Sequence, residues 1–156
     1  MDLNKIDKTW NEFSKLENIE LKYKERNQGN VIQSHYLINY TNEIATFSFI
    51  GILWKSTEGQ NTDKTSIIVE FENRLVINNF EFKTNSKLKD SSSKDQLTEF
   101  ERGVLKDMEM FDGNSITLKD NFIRIDTDHI FSTIEDFKLV ADLILKIKTT
   151  GNNIEN

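Results

Sequence analysis

The stretch "IATFSFIGILW", residues 44–54, decides the fold because it is apolar on both sides of a two-residue alternation. Two apolar sets alternate along it: Ala45, Phe47, Phe49 and Leu53, and then Ile44, Ile50, Ile52 and Trp54. Alternation with this period predicts a β-strand, and apolar residues on both sides predict a central strand covered on both faces of its sheet. Gly51, in the middle, predicts a bulge, a bend or the close approach of a packed element.

The segments that flank this stretch have the same period and predict further strands. These strands are expected at about 19–24, 31–40, 65–73 and 74–84. The last of them has a predicted break near Asn78 and Asn79, because two asparagines favour a turn.

A later segment, "SITLKDNFIRID" at residues 115–126, predicts a β-hairpin with Asp120 and Asn121 as its turn. In that register the apolar cross-strand pairs are Leu118 with Ile123 and Ile116 with Ile125. Thr117 and Arg124 then share the opposite, wetter face. With the other strands, this hairpin predicts an antiparallel sheet of six or seven strands.

Three segments have the spacing of amphipathic helices, at about 2–17, 97–111 and 132–148. Asp2 is a suitable N-cap for the first, and Trp10 is expected to be its central core anchor. Capping-box patterns open the other two: Thr98 with Glu101, and Ser132 with Glu135. Gly103, within the second helix, costs about 1 kcal/mol relative to alanine.

Together these elements predict an α+β fold. It consists of an antiparallel sheet, an N-terminal helix, a middle helix after a flexible loop, and a C-terminal helix packed on the sheet. We expect one domain over residues 1–149, with mobile polar loops near 55–65 and 85–96, because such segments bury too little apolar area to become ordered. Residues 150–156 are expected to be a frayed polar tail.

The composition excludes several kinds of chemistry. The chain has no cysteine, so disulfides, thiolate metal ligands and cysteine nucleophiles are excluded. Its two histidines, His35 and His129, are far apart in sequence, whereas a zinc site needs three or four ligands. Gly-rich phosphate loops and GxSxG elbows are also missing from the sequence. The sequence therefore predicts no cofactor and no metal.

Charge and hydropathy limit the partners. The net charge of −6 predicts no nucleic-acid binding, and the best basic run, "KYKER" at residues 22–26, is interpreted as a solvated strand end. The longest apolar stretch, "FIGILW", is far shorter than the roughly 20 residues that cross a bilayer. We therefore expect a cytoplasmic location and no membrane insertion.

The cluster "DTDH", residues 126–129, is the most suggestive group of polar residues. Because the hairpin ends near Asp126 and a helix begins at Ser132 or Thr133, aspartates and threonine are expected there as turn formers. The functional alternative is that Asp126 or Asp128 binds a metal, or that one carboxylate orients His129 as a general base. The corner interpretation is preferred.

Two further candidates have the same double interpretation. Glu70 and Glu72 are expected to lie on one strand face, where they either form a carboxylate pair or are alternate acids of the kind common on solvated faces. His35 lines a pocket or is a structural residue on a mixed face with Val31 and Leu37.

The order of these parts is similar to that of a loose group of uncharacterised bacterial proteins. Those proteins open with a tryptophan-bearing helix, continue with an antiparallel meander that has a glycine in a central strand, and close with a hairpin and a long helix. The resemblance implies a bacterial origin and the same α+β layout. It implies no residue roles.

For function, the first expectation is a non-enzymatic interaction protein, such as an acidic inhibitor or immunity-type partner of a protein with a basic surface. Its expected contact surface consists of acids: Glu58, Asp63, Glu70, Glu72, Glu99, Glu101, Asp107, Glu109 and Asp112. The alternative is a module that binds a small apolar molecule or lipid in a cavity between the sheet and the C-terminal helix. An enzyme that uses Asp126, Asp128 or His129 is the third hypothesis.

Overall fold

The structure, a computed structural model, describes residues 2–29, 31–55, 63–83 and 97–153. Within these ranges the chain forms three helices: α1 (Leu3–Leu16), α2 (Glu99–Glu109) and α3 (Ile134–Asn153). It also forms seven strands: β1 (Leu21–Gln28), β2 (Val31–Thr41), β3 (Thr46–Lys55), β4 (Lys64–Glu70), β5 (Phe80–Lys83), β6 (Gly113–Lys119) and β7 (Phe122–Thr127). The predicted α+β fold is confirmed.

The strands form one antiparallel sheet in the order β1-β2-β3-β4-β7-β6-β5. The stretch that alternates in the sequence, β3, pairs on both sides and is central, as predicted. In the β6–β7 hairpin, Leu118 faces Ile123 and Ile116 faces Ile125, as predicted. Asp120 has a φ of +57° in the turn, a conformation that aspartate tolerates better than most residues.

All three helices contact the same face of the sheet, which we call the inner face. Phe13 of α1 and Phe137 of α3 both lie against Phe49 of β3, with ring centroids 5.7 and 5.0 Å away. Phe100 of α2 lies 6.3 Å from Phe80 at the other end of the sheet. The core therefore lies entirely between the inner face and the helices in the described part of the chain.

Gly51 marks a close approach, one of the three structures that the sequence predicted for it. A Cβ atom at this position would lie 2.6 Å from Cζ2 of Trp10 and 3.0 Å from Cδ1 of Ile130. Trp10 is completely buried, and its indole N–H donates to the carbonyl of Phe131 at 3.0 Å. Its predicted role as the core anchor of α1 is confirmed.

The prediction that β3 is covered on both faces is wrong for the residues described. The face opposite the helices, which we call the outer face, carries the second apolar set of β3, and Ile50, Ile52 and Trp54 are only partly buried there. Neighbouring strands shield these side chains from the sides, and no described helix covers them from above. Lateral shielding explains how apolar residues occupy a solvated sheet face.

Only the end of the strand predicted at 74–84 forms, as β5. The preceding segment must pass the β6–β7 hairpin to reach the far edge of the sheet, and it is held to the turn of that hairpin. The N–H of Leu75 donates to the carbonyl of Asp120 at 3.3 Å, and the side chain of Asn79 accepts from the N–H of Asp120 at 2.8 Å. These bonds replace strand pairing over residues 71–79.

The N-terminal caps of two of the three described helices are those predicted from the sequence. Asp2 caps α1, and Thr98 and Glu101 form the predicted capping box of α2. At α3 the predicted Ser132 box is wrong, because the hydroxyl that accepts from the N–H of Asp136, at 3.3 Å, belongs to Thr133.

The helix α3 also extends further than predicted. It continues to Asn153, so residues 150–153 of the predicted tail are helical, and Gly151 is buried against Leu75. This contact gives the last turn tertiary support that its polar sequence does not indicate. Most of the predicted mobile loops, and residues 154–156, lie outside the described residues. None of the described helices is long and apolar enough to span a membrane.

Candidate functional site

The cluster at residues 126–129 lies at the corner between β7 and α3, and two buried threonines hold its backbone. The hydroxyls of Thr65 and Thr127 donate to the carbonyl of His129 at 3.1 and 2.6 Å. The hydroxyl of Thr65 also accepts from the N–H of Phe131 at 2.9 Å. This network satisfies polar groups that the corner would otherwise bury without partners, so the corner has a structural explanation.

The side chains of the cluster contact different partners. Asp126 accepts from Ser66 at 2.5 Å and from Arg124 at 2.9 Å on the outer face. Asp128 instead accepts from Asn114 at 3.1 Å at the surface. The ring of His129 lies 5.8 Å from that of Phe131, its neighbour in the core. Nowhere in the described ranges do three histidine or acidic side chains gather as a metal site requires.

Opposing effects act on the pKa of Asp126. Burial raises this pKa, but hydrogen bonds from Arg124 and Ser66, and the charges of Arg124 and Lys64, lower it by more. The net pKa lies below the usual value of 3.8, so the carboxyl group is ionised at neutral pH. A carboxylate that is charged and paired at neutral pH stabilises the sheet and is a poor general base at that pH.

Glu70 and Glu72 do not form the predicted pair on one strand face. The strand β4 ends at Glu70, because the N–H of Phe71 donates to the carbonyl of Asn121 at 2.8 Å and turns the chain away. Both glutamates are exposed and line a surface cavity of about 430 Å³. Lys148, also in its wall, donates to the carbonyls of residues 43 and 44 at 2.7 and 2.8 Å, so this ammonium group is already used structurally.

His35 lies on the outer face with Leu37, as its mixed-face pattern predicted. It is half-buried, opposite Lys24 on β1 and Ile52 on β3. Its pKa is lowered from the usual 6.5, first by burial and then by the positive charges of Arg26 and Lys24. The imidazole is therefore mainly neutral at pH 7 and lies beside two cations, Lys24 and Arg26.

The structure assembles a surface around His35 that the sequence did not predict. Its centre is an apolar stripe across β2, β3 and β4, formed by Leu37, Ile50, Ile52, Trp54 and Ile68. These side chains are partly exposed, and they lie on neighbouring strands with no helix above them in the described residues. A contiguous apolar surface of this kind is typical of an interaction site.

The charges around the stripe are mostly positive, although the chain carries a net charge of −6. In the described strands, seven cationic residues occupy outer-face positions: Lys22, Lys24, Arg26, Lys64, Lys83, Lys119 and Arg124. The acidic residues at outer-face positions of these strands are Glu70, Glu81 and Asp126. We call Lys22, Lys24, Arg26 and Lys64 the basic rim. Arg124, the cross-strand partner of Ile68, is left out because it pairs with Asp126.

The sequence contained only part of this signal. Within "KYKER", Lys22, Lys24 and Arg26 alternate and therefore share one strand face, and they are exposed there. Lys64 is 38 positions further along the chain than Arg26 by their residue numbers, and only the strand order brings it to the same surface. The net charge of the whole chain does not indicate a basic face, because most of its acidic residues lie outside that face.

The acids of the predicted contact surface are dispersed. Asp63, just before β4, and Glu70, at its end, are about 20 Å apart at 3.3 Å per residue. Glu72 lies beside Glu70, and the other described acids are on or beside α2. Several have structural partners: Asp63 accepts from the N–H of Trp54 at 2.9 Å, and Asp107 pairs with Lys146 at 2.7 Å. Glu58 lies outside the described residues.

The predicted apolar cavity between the sheet and α3 coincides with closely packed rings. The ring of Phe137 stacks on that of Phe13 at 4.1 Å and meets those of Trp10 and Phe131 edge-on at 5.1 and 5.2 Å. Such distances are those of aromatic contact in a filled core.

Comparison with known proteins finds no matching family model, no matching curated protein and no matching solved structure. Function must therefore be inferred from the surfaces themselves.

Proposed function

We propose that this protein is a non-enzymatic protein-interaction module that binds an acidic partner through its outer face. The observation that carries the proposal is the one-sided layering of the molecule. Helices cover the inner face, whereas the apolar stripe and its basic rim remain open in the described residues. We take this open, mixed surface as the contact surface.

The composition of the outer face supports this role. Protein interfaces combine an apolar centre with a polar rim, and tryptophan is enriched among the residues that contribute most to binding. Here Trp54 and the isoleucines form the centre, and the basic rim flanks it with three cations on β1 and with Lys64 on β4. Because β-strands hold these side chains in fixed register, little ordering is needed on binding.

The sign of the charge favours an acidic partner. Complementary charge accelerates association and selects among partners. The sequence predicted the opposite, a partner with a basic surface, and the dispersal of the described acids gives that prediction less support. The closely packed rings beneath α3 likewise give little support to an apolar ligand cavity, and the separate partners of Asp126, Asp128 and His129 give little to an enzyme.

The test uses a synthetic peptide that alternates glutamate and leucine, with a single-stranded oligothymidylate as the competing probe. We expect saturable peptide binding that perturbs the amide NMR signals of β1–β3 and weakens as salt is added. Trp54→Ala and Lys24→Glu should each weaken binding about tenfold, which corresponds to about 1.4 kcal/mol. Lys138→Glu, the same charge change on the exposed side of α3, should leave it unchanged.

The native partner is tested in the same way. A protein captured from the host must bind again as a purified component and lose affinity with both outer-face variants. Binding that is equal for Lys24→Glu and Lys138→Glu, or selective binding of the oligonucleotide to this face, contradicts the proposal.

A further inference from the structure

We propose that the cleft between α1 and β1 binds an organic ammonium group. The cleft lies at the edge of the inner face, away from the apolar stripe, and has a volume of about 380 Å³. Its walls are Asp7 and Asn11 of α1, Leu21 and Tyr23 of β1, and Tyr36 of β2. Its size falls within the range of pockets for small organic ligands, roughly 300–1,000 Å³.

The first feature that selects the ligand is an oriented carboxylate. The hydroxyl of Tyr36 donates to Oδ1 of Asp7, which fixes the carboxylate of an otherwise exposed side chain. Burial, and then this hydrogen bond and the charge of Asp7, raise the pKa of Tyr36, so its hydroxyl stays protonated and keeps donating. Oδ2 of Asp7 accepts no hydrogen bond from the described residues and is available to a ligand.

The second feature is an aromatic wall. The side chain of Tyr23 is half-exposed, and its ring lies 5.1 Å from that of Tyr36. An ammonium group over the face of such a ring is attracted by the ring quadrupole. The hydroxyl of Tyr23 donates to Glu25 at 2.6 Å, which holds a second carboxylate beside the ring. The wall therefore combines a surface for a cation with negative charge nearby.

The third feature is that the polar groups at the cleft are mainly hydrogen-bond acceptors. The amide nitrogen of Asn11 donates to the backbone carbonyl of Asp7 at 2.8 Å. The side-chain oxygen of Asn11 is then able to accept a hydrogen bond from a ligand. An ammonium group has three donors and no acceptor, so it matches this set. The cations of β1 lie on the other face of the strand, because Lys22 and Lys24 alternate with Tyr23. A bare metal ion fits less well, since three acidic or histidine ligands do not converge among the described residues.

The ammonium group can belong to a free amine or to a lysine side chain of a protein, and the test separates these sources. The probes are 1,4-diaminobutane, a short lysine-containing peptide with blocked ends, and 1-butanol as a neutral analogue. Each is titrated into the full-length protein while amide NMR signals are recorded. We expect both cationic probes to shift the signals of residues 7, 11 and 23 saturably and butanol to leave them unshifted. Preference for the peptide or for the diamine identifies the source.

Two variants and one matched control locate the binding. Asp7→Asn keeps an acceptor for the hydroxyl of Tyr36 but removes the charge, and it should weaken binding of both cations about tenfold. Tyr23→Leu should weaken it by a similar factor through loss of the ring. Glu12→Gln removes one exposed charge from the same helix at a position outside the cleft, and it should change the affinity less than twofold.

Three outcomes overturn the inference. They are equal weakening by Asp7→Asn and Glu12→Gln, binding of butanol as tight as that of the amines, and the lack of saturable shifts in the cleft. Thermal unfolding of each variant is measured alongside, and Tyr23→Leu serves as the test if Asp7→Asn does not fold. The amine titrations are independent of the outer face, so Trp54→Ala should leave amine binding intact even if it abolishes partner binding.

Discussion

The two tryptophans of this chain lie on opposite faces of one sheet, and the difference between them summarises the architecture. Trp10, from α1, packs on the inner face, where its indole N–H has a buried partner and no surface is exposed. Trp54, from β3, lies on the outer face and is only partly buried. The same residue type thus anchors the core on one side and remains available for contact on the other.

This comparison shows that apolar side chains do not by themselves indicate a covered face. Both faces of β3 are apolar, yet three helices in the described ranges contact only one of them. The inner face is rich in phenylalanine and excludes water with interlocking rings, whereas the outer face combines aliphatic side chains with cations. A core needs dense packing, and a contact surface needs only a contiguous patch with a polar rim.

The largest expected difference comes from truncating each tryptophan. Trp10→Ala should lower the free energy of unfolding by about 3–5 kcal/mol, because it removes a buried ring and leaves a cavity beside Gly51. Trp54→Ala should cost about 1 kcal/mol or less, since its ring is partly hydrated already. Urea denaturation of both variants, followed by far-UV circular dichroism, measures the difference. Similar losses for the two variants would mean that the outer face is part of the core.

The second comparison makes one substitution in two environments. Gly51→Ala should destabilise the protein by about 2–3 kcal/mol, because the new methyl group meets the rigid ring of Trp10. Gly103→Ala, within α2, should instead stabilise it by about 0.5–1 kcal/mol through helix propensity. There the nearest atom is Nζ of Lys146, at 3.3 Å, the end of a flexible side chain that is able to move. Thermal unfolding midpoints that move in opposite directions support both expectations.

Local features of the fold were predictable from the sequence because they depend on residues close together in the chain. The hairpin register follows from four apolar positions around an Asp-Asn turn, and the capping box of α2 follows from Thr98 and Glu101. Gly51 indicated a bulge, a bend or a close approach, but the sequence did not say which of the three forms or that Trp10 makes the contact. Such features require no knowledge of the strand order.

Features that depend on the path of the chain were not predictable. The basic rim exists because β1 and β4 present their cations to the same face, and Lys64 has no sequence relation to Lys24. The misassigned strand at 74–79 follows the turn of a hairpin that comes about 40 residues later in the chain. The cap of α3 fell one residue later than predicted, a typical error for the ends of helices.

The third prediction concerns the corner and tests its structural interpretation. Thr65→Val should destabilise the protein by about 2 kcal/mol, because the buried N–H of Phe131 loses the acceptor it has in Thr65. Asp128→Ala, at the same corner but exposed, should change stability by about 0.5 kcal/mol or less. Chemical denaturation measures both. A larger effect at Asp128 than at Thr65 would contradict the account of the corner.

The smallest expected effect concerns the pH dependence contributed by Asp126 on the outer face. Its pKa in the folded state is lowered below 3.8, so its contribution to stability is present above that pH and is lost as the pH falls through the lower, folded-state value. Asp126→Asn should cost about 0.5–1 kcal/mol at pH 6, since the pair with Arg124 is partly exposed. The cost should shrink below pH 4, where the wild-type carboxylate becomes protonated, so the two stability curves converge in acid.

Asp120→Asn, which removes an exposed pair with Arg74, serves as the control and should change stability by less than about 0.5 kcal/mol throughout. Curves for Asp126→Asn and wild type that stay parallel down to pH 2 would show that the charge of Asp126 does not stabilise the outer face.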